Sequence, residues 1–309
     1  MYVIESKVKL LINIGDVLEM NHIVNENYKI YLITMDKSDL YWMVMDNGAR
    51  EMASMLGVTY EWDAPLTRDV NEQIQIFNNA VAAEADAIML AASDPLKISS
   101  AVEEAKAKGV KIIYVDAPAF EEAVTTLATD NYTAGKIAGE NMFYELENIG
   151  LTYGSIGIIG VTPENRTTVN REMGFRDYFK LFVRYQILET IYANGDPQLA
   201  KQATEKYISD NPNLVGIFST NEGSTLGMGY ALREYDINII GIGFDSTAII
   251  QEMIRDNTIK ATLVQNPFTM GYLGMAEAVA ALRGFDTGPQ LINTGVTVVN
   301  TYTPTRLLS

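Results

Sequence analysis

Groups able to engage a ligand recur along this chain in a restricted set of places. They are Asp36-Lys-Ser-Asp39-Leu-Tyr41-Trp42, Ser93-Asp94, Asp116, Thr162-Pro-Glu-Asn-Arg166, Ser219-Thr-Asn221-Glu222, Asp245 and Gln265-Asn266. Carboxylates accept hydrogen bonds from vicinal hydroxyls, Asn and Gln amides both donate and accept, and Arg donates through a planar fork; an aromatic face covers the C–H side of a sugar ring. The set suits recognition of a polyhydroxylated ligand. Paired carboxylates such as Asp39 with Asp245 could do acid–base work on a glycoside, but no Ser–His pair, phosphate loop or metal cluster stands beside them. The chain has no Cys and a single His, His22, which removes thiolate nucleophiles, disulfides, Cys zinc sites and multi-histidine metal sites. A non-enzymatic binding role without cofactor or metal is expected.

Each of these groups follows a short apolar run rich in β-branched residues, and each run is followed by a stretch of helical period, the alternation of parallel βαβ units. Strands are expected at 29–35, 58–62, 87–92, 110–115, 125–129, 155–161, 187–192, 214–219, 237–244, 259–264 and 295–300. The intervening helices include 40–57, ended by Gly57, and one in which Val70, Ile74, Phe77 and Val81 share a face. In a parallel sheet, ligands sit at the carboxyl ends of the strands, which is where the polar groups fall. Single residues have plainer roles: Asp94, with Pro95 behind it, reads as a helix N-cap followed by Pro at the first helical position, and Tyr41-Trp42 open a helix, where aromatic rings usually belong to the core. Gly227-Met-Gly229 and Gly241-Ile-Gly243 miss the third Gly of a dinucleotide fingerprint and read as close packing.

The length of 309 residues exceeds one ordinary core and suits two lobes of roughly 150 residues each. With 48% hydrophobic and 20% charged residues, the composition is that of a soluble globular chain. A net charge of −16 argues against a nucleic-acid partner. No apolar stretch reaches the roughly 18–20 residues of a membrane span. In the first 27 residues, Asn13, Asp16 and Glu19 interrupt what would be the apolar region of an export signal, and Ile4, Val8, Leu11, Gly15, Leu18 and His22 form a short heptad-like stripe. That stripe reads as a packed amphipathic helix or disordered lead, or as a juxtamembrane or dimer helix.

Segments over 28–300 resemble the sugar-binding group of the periplasmic-binding-protein-like type I fold, typified by ribose- and galactose-binding proteins. The resemblance rests on Asp39-Leu-Tyr-Trp42 with Gly48-Ala49, Asp69-Val-Asn-Glu-Gln73, Asp86-Ala-Ile-Met-Leu with Asp94-Pro95, Gly109-Val-Lys-Ile-Ile-Tyr-Val-Asp116, Thr129-Asp-Asn-Tyr-Thr-Ala-Gly135, Arg171-Glu-Met-Gly-Phe175, Gly216-Ile-Phe-Ser-Thr-Asn221, Gly243-Phe-Asp245 and Gln265-Asn-Pro-Phe-Thr-Met-Gly-Tyr272, in register. It implies an α/β protein of two Rossmann-like lobes with parallel sheets, joined by a three-crossover hinge and closing on a ligand in the cleft. The crossovers would fall near 129–131, 264–266 and 293–295. Residues 28–130 with 266–294 would form the N-terminal lobe, and 131–265 with 295–309 the C-terminal lobe, preceded by an extension over 1–27. The resemblance also implies ligand-binding roles for Asp39, Asp116, Asn221, Asp245 and Gln265, with Tyr41 and Trp42 in place of an aromatic pair that stacks on the sugar.

Departures bear on the ligand. Ala91 and Ala117 stand where relatives often have Asn and Arg, and the family arginine aligns with Val169, leaving Arg166 or Asn170 as its substitute. A different sugar, a cyclitol or a less polar glycoside is the expected ligand. The implied role is an extracytoplasmic solute receptor that presents its closed form to an ABC-transporter permease. Two alternatives share the fold: the sugar-sensing domain of a membrane-anchored signalling protein, and the effector core of a LacI-type regulator. The second would need a basic helix-turn-helix of some 50–60 residues, and only 27 residues precede the first strand.

Overall fold

The alternating runs fold into two mainly parallel sheets, each with helices on both faces. The computed structural model describes residues 27–303 apart from 236–238 and 287; the stripe over 4–22 lies outside the described residues. The first sheet contains β1 (Lys29–Ile33), β2 (Thr59–Asp63), β3 (Ala87–Leu90), β4 (Lys111–Val115), β5 (Thr125–Ala128) and β12 (Leu291–Asn293), in the order β12-β5-β4-β3-β1-β2 and parallel throughout. The second contains β6 (Gly154–Gly160), β7 (Tyr185–Ile187), β8 (Ile191–Tyr192), β9 (Leu214–Ser219), β10 (Ile240–Phe244), β11 (Ala261–Gln265) and β13 (Val296–Asn300). Its order is β13-β11-β10-β9-β6-β7, with β8 also on β6, and only β13 runs antiparallel.

Strands covered on both faces read as unbroken apolar runs, and β3, β6 and β10 are buried along their whole length. In the first lobe, α1 (Leu40–Leu56) and α9 (Pro267–Leu282) close one core around Trp42, Met45, Met89 and Met275. On the other face, α2 (Val70–Ala82) and α3 (Ser99–Ala107) close a second around Phe77, Ile88 and Val102. The second lobe repeats the plan: α4 (Asn131–Asn148) and α5 (Arg166–Phe179) on one face, α6 (Pro197–Asp210), α7 (Glu222–Tyr235) and α8 (Ala248–Arg255) on the other.

The chain passes between the lobes after β5, after β11 and after β12. The three passages are tied to one another: the Asn266 side-chain amide donates to the Thr294 carbonyl at 2.7 Å, the Asp130 N–H donates to Asn293 Oδ1 at 3.1 Å, and the Thr294 N–H donates to the Ala128 carbonyl at 3.0 Å.

Three local readings need correction. The strand expected over 187–192 is broken into β7 and β8, because the Tyr207 hydroxyl inserts there, 2.6 Å from the Glu189 carbonyl and 3.1 Å from the Ile191 nitrogen. Asp94 caps the Leu96 and Lys97 N–H groups of a turn, and the helix proper begins only at Ser99. Strand β12 was not legible, since its three residues carry no buried apolar alternation. Among the described residues no helix is long and apolar enough to cross a membrane, and no group of three or more acidic or histidine side chains is placed to hold a metal ion.

Candidate ligand-binding site between the lobes

The strand registers align the carboxyl ends of each sheet, and the loops leaving those ends meet across the gap between lobes. They enclose a chamber of ≈70 Å³. From the first lobe, Asp39 is the N-cap of α1: one carboxylate oxygen accepts the Tyr41 N–H at 2.9 Å, and the other lies 3.6 Å from the Arg68 guanidinium. Asp36 behind it is 3% exposed and holds the loop by accepting from the Ser38 and Asp39 N–H groups, the Ser38 hydroxyl and Arg68 Nε. The Tyr41 hydroxyl donates to Asp116 Oδ1 at 2.9 Å. Trp42 packs edge-on against Tyr41, with ring centroids 4.9 Å apart, and is mostly a core residue at 2% exposure.

Asp116 and Asp245 are counterparts. Each is the first residue past a central strand, at φ of +63° and +65°, and each donates its N–H to a leucine carbonyl of the neighbouring strand, at 2.8 Å in both cases. Asp tolerates this left-handed conformation better than most residues, so the sharp turn that aims both carboxyls into the chamber favours the residue type found there.

The second lobe is organised by Arg171 of α5, which is 2% exposed. Its guanidinium donates from Nε to Asn131 Oδ1 (2.8 Å), from Nη1 to the Thr220 carbonyl (2.8 Å) and from Nη2 to Gln265 Oε1 (2.7 Å), and lies 3.8 Å from the centroid of Phe244. Gln265 also accepts from the Thr129 hydroxyl at 3.0 Å and donates to Asp245 Oδ1 at 2.8 Å. A guanidinium has five N–H donors, so this arginine, fixed by three bonds, keeps donors for a ligand. Asn221 caps α7, accepting the Ser224 N–H at 3.3 Å, and Glu222 beside it lines the chamber.

Of the nine residues singled out in the sequence, Asp39, Tyr41, Trp42, Asp116, Asn221, Asp245 and Gln265 line this chamber; Arg166 and Asn170 do not. Their placement follows from helical geometry. Residues four apart share a face, so Arg166 and Asn170 point together to a neighbouring cavity while Thr167 and Arg171 line the chamber. Arg166 stacks over Phe120, 5.0 Å from its centroid. Arg171 and Arg68 were not singled out, and Glu222 was named beside Asn221 at its strand end without being given a ligand role. Counting the helical period back from Phe179 and Phe175 would have brought Arg171 inward; Arg68 had no local signal that separates it from surface charges.

Four carboxyls face two guanidinium groups here. Burial, which disfavours the charged form, is the largest influence on each acid. It raises Asp39 and Asp116 above the ordinary range, takes Asp245 to about 6 against the opposing pull of Arg171 and the Gln265 amide, and takes Glu222 to about 8 with the Asp39 and Asp245 charges adding to the effect. Glu222 is therefore mainly protonated at neutral pH and can donate as well as accept. Burial lowers Arg171, and the Asp245 and Asp116 charges oppose it.

Two doubly wound parallel-sheet lobes, joined by three crossovers and meeting around a polar chamber at their strand ends, define a two-lobed ligand-binding protein. The pattern that defines the periplasmic binding protein domain matches residues 30–286, and the chain belongs to that family. It is 26% identical to the D-apiose import binding protein of Actinobacillus succinogenes over 86% of this chain and 85% of that one. It is 27% identical to the ribose import binding protein of Bacillus subtilis, over 70% and 69%. Among solved structures, a carbohydrate transporter solute binding protein from Agrobacterium radiobacter in complex with D-arabinose superposes with a TM-score of 0.83 at 29% identity, covering 89% of this chain and 95% of that one.

Proposed function

We propose that this protein is an extracytoplasmic carbohydrate receptor that closes around a monosaccharide-like sugar or cyclitol in the chamber and presents the closed form to an ABC-transporter permease, without turning the ligand over. The observation that carries the reading is the pairing of Asp116 from one lobe with Asp245 from the other, both set by the same strand-end turn and both facing one chamber. Each accepts from hydroxyl donors, so a polyol placed between them bonds to both lobes at once. Tyr41 supplies ring surface and Arg171 supplies donors from a fixed position. The family membership and the import and transport roles in the names of the relatives support the same reading.

A ligand that touches both lobes binds the closed state better than the open one, and that difference drives closure. The test is a thermal-shift and calorimetry screen over pentoses, hexoses and cyclitols. At a hundredfold excess over Kd, a ligand confined to the folded state adds about 2.7 kcal/mol of stability, which raises the melting temperature measurably. Stabilisation by one sugar or cyclitol class, with the ligand recovered chemically unchanged, is the expected result. A flat screen overturns the reading, and appearance of a cleaved product replaces it with an enzymatic one.

A further inference from the structure

A second cavity adjoins the chamber, and we propose that it accommodates a substituent carried through a glycosidic oxygen, so that the preferred ligand is a glycoside or disaccharide rather than a free monosaccharide. The inference rests on the reading of the chamber as a sugar site. The second cavity measures ≈490 Å³ against ≈70 Å³ for the chamber, and Met35, Asp116, Asn165 and Thr167 line both. Ligand sites generally enclose about 300–1,000 Å³. Most of the room between the lobes therefore lies outside the polar chamber, and a sugar held there has an open path past Asp116.

The walls of the second cavity differ in kind. The first lobe contributes Ala92, Ala117, Pro118 and Ala128, short side chains that offer C–H surface, with the Ser93, Thr126 and Thr129 hydroxyls beside them. Opposite stand Arg166 and Asn170, both exposed, and the Arg166 guanidinium reaches over the ring of Phe120 in the other lobe. A second sugar ring has the same anisotropy: its C–H face suits the alanine and proline wall, and its hydroxyls suit the amide and guanidinium. An aryl or alkyl group would use the apolar wall alone. The room depends on small residues, since a long side chain at 117 would fill it from the wall that Asp116 shares with the chamber.

The experiment is calorimetry on the full chain and two variants, Ala117→Leu, which fills the cavity without adding a charge beside Asp116, and Glu164→Trp, which narrows its exposed mouth without disturbing a buried contact. The probes are D-ribose, D-arabinose, D-apiose, D-allose and D-fucose, their methyl and 4-nitrophenyl glycosides, and disaccharides containing them. The expected result is that a glycoside binds at least tenfold more tightly than its parent sugar, that disaccharides exceed aryl glycosides, and that either variant reduces this advantage to within about twofold while the parent sugar binds as before. If parent sugars bind and no substituted form gains affinity, or if the gain survives in both variants, the second cavity is not a subsite and the sugar reading of the chamber stands. If the aryl glycosides alone gain, the substituent is an apolar aglycone and the glycosidic proposal holds. If no probe binds, the reading of the chamber falls and takes this inference with it.

Discussion

Asp245 shows how residue type, backbone and charge are joined at one position. Its φ of +65° suits Asp or Asn, and its carboxyl is the acceptor for the Gln265 amide. Asp245→Asn keeps the turn and removes the charge, so sugar affinity should fall by about 1.5–3 kcal/mol, the range for hydrogen bonds to charged groups, which is roughly tenfold or more in Kd. Calorimetry should show that loss with little change in melting temperature, whereas Asp245→Val should lower the melting temperature as well, because a β-branched residue is strained at this φ. Glu222 makes a pH prediction. Its folded pKa of about 8 lies above its unfolded value, so the folded protein keeps a proton that the unfolded chain has already released. The stability this confers is full below the ordinary glutamate range and drains away as the pH rises towards 8. Without ligand, the melting temperature should therefore decline across neutral pH, and Glu222→Gln should flatten the decline. An unchanged slope in that variant would show that Glu222 ionises normally. The carboxylates were legible as candidates because they follow apolar runs; their altered pKa values were not, because those depend on neighbours from both lobes.

At the scale of elements, caps and helix crossings position the site. Asp39 is both the N-cap of α1 and a chamber residue. Asp39→Ser should preserve the cap, while Asp39→Ala should lose it at about 1 kcal/mol; thermal melts should separate the two variants, and both should bind sugar less tightly. The crossing of α4 on α5 depends on Gly135 and Gly174: a Cβ on Gly135 would stand 2.0 Å from the Arg171 carbonyl oxygen, and one on Gly174 would stand 2.0 Å from that of Tyr132. Gly135→Ala must push Arg171 away from Asn131 and Gln265. A lowered melting temperature together with a weakened sugar Kd is expected; a stability loss with Kd unchanged would show that Arg171 does not set affinity. Gly48 and Gly271 make the equivalent close approach between α1 and α9 in the first lobe, where the added carbons would lie 2.1 Å and 2.0 Å from backbone oxygens. The helices themselves were readable from period and caps. The Tyr207 hydroxyl that splits β7 from β8 was not, because it reaches the strands only through the way the following helix, α6, packs on the sheet.

For the whole molecule, the chamber and the passages between the lobes belong to one hydrogen-bonded assembly. Arg171 bonds to Asn131 and Gln265, Gln265 bonds to Thr129, and these three residues stand at two of the three passages. Arg171 and Asp245 are thus bonded, directly or through Gln265, to the segments that join the lobes. Small-angle scattering should show a smaller radius of gyration at saturating sugar than without it, and Asp245→Asn should need more sugar to reach the same compaction. An identical radius with and without a sugar that calorimetry shows to bind would mean that closure does not accompany binding.

The sequence by itself determined the α/β alternation, the two-lobe size, the absence of cysteine chemistry and the seven chamber residues that sit at strand ends or helix starts, because strand and helix periods and turn chemistry are local properties of the chain. Tertiary structure decided the rest. It turned Arg171 to the chamber and Arg166 and Asn170 to the second cavity through the facing of one helix, brought Arg68 to the chamber from a distant loop, and opened the second cavity beside Ala117, because which side chains meet across two lobes depends on how distant segments pack.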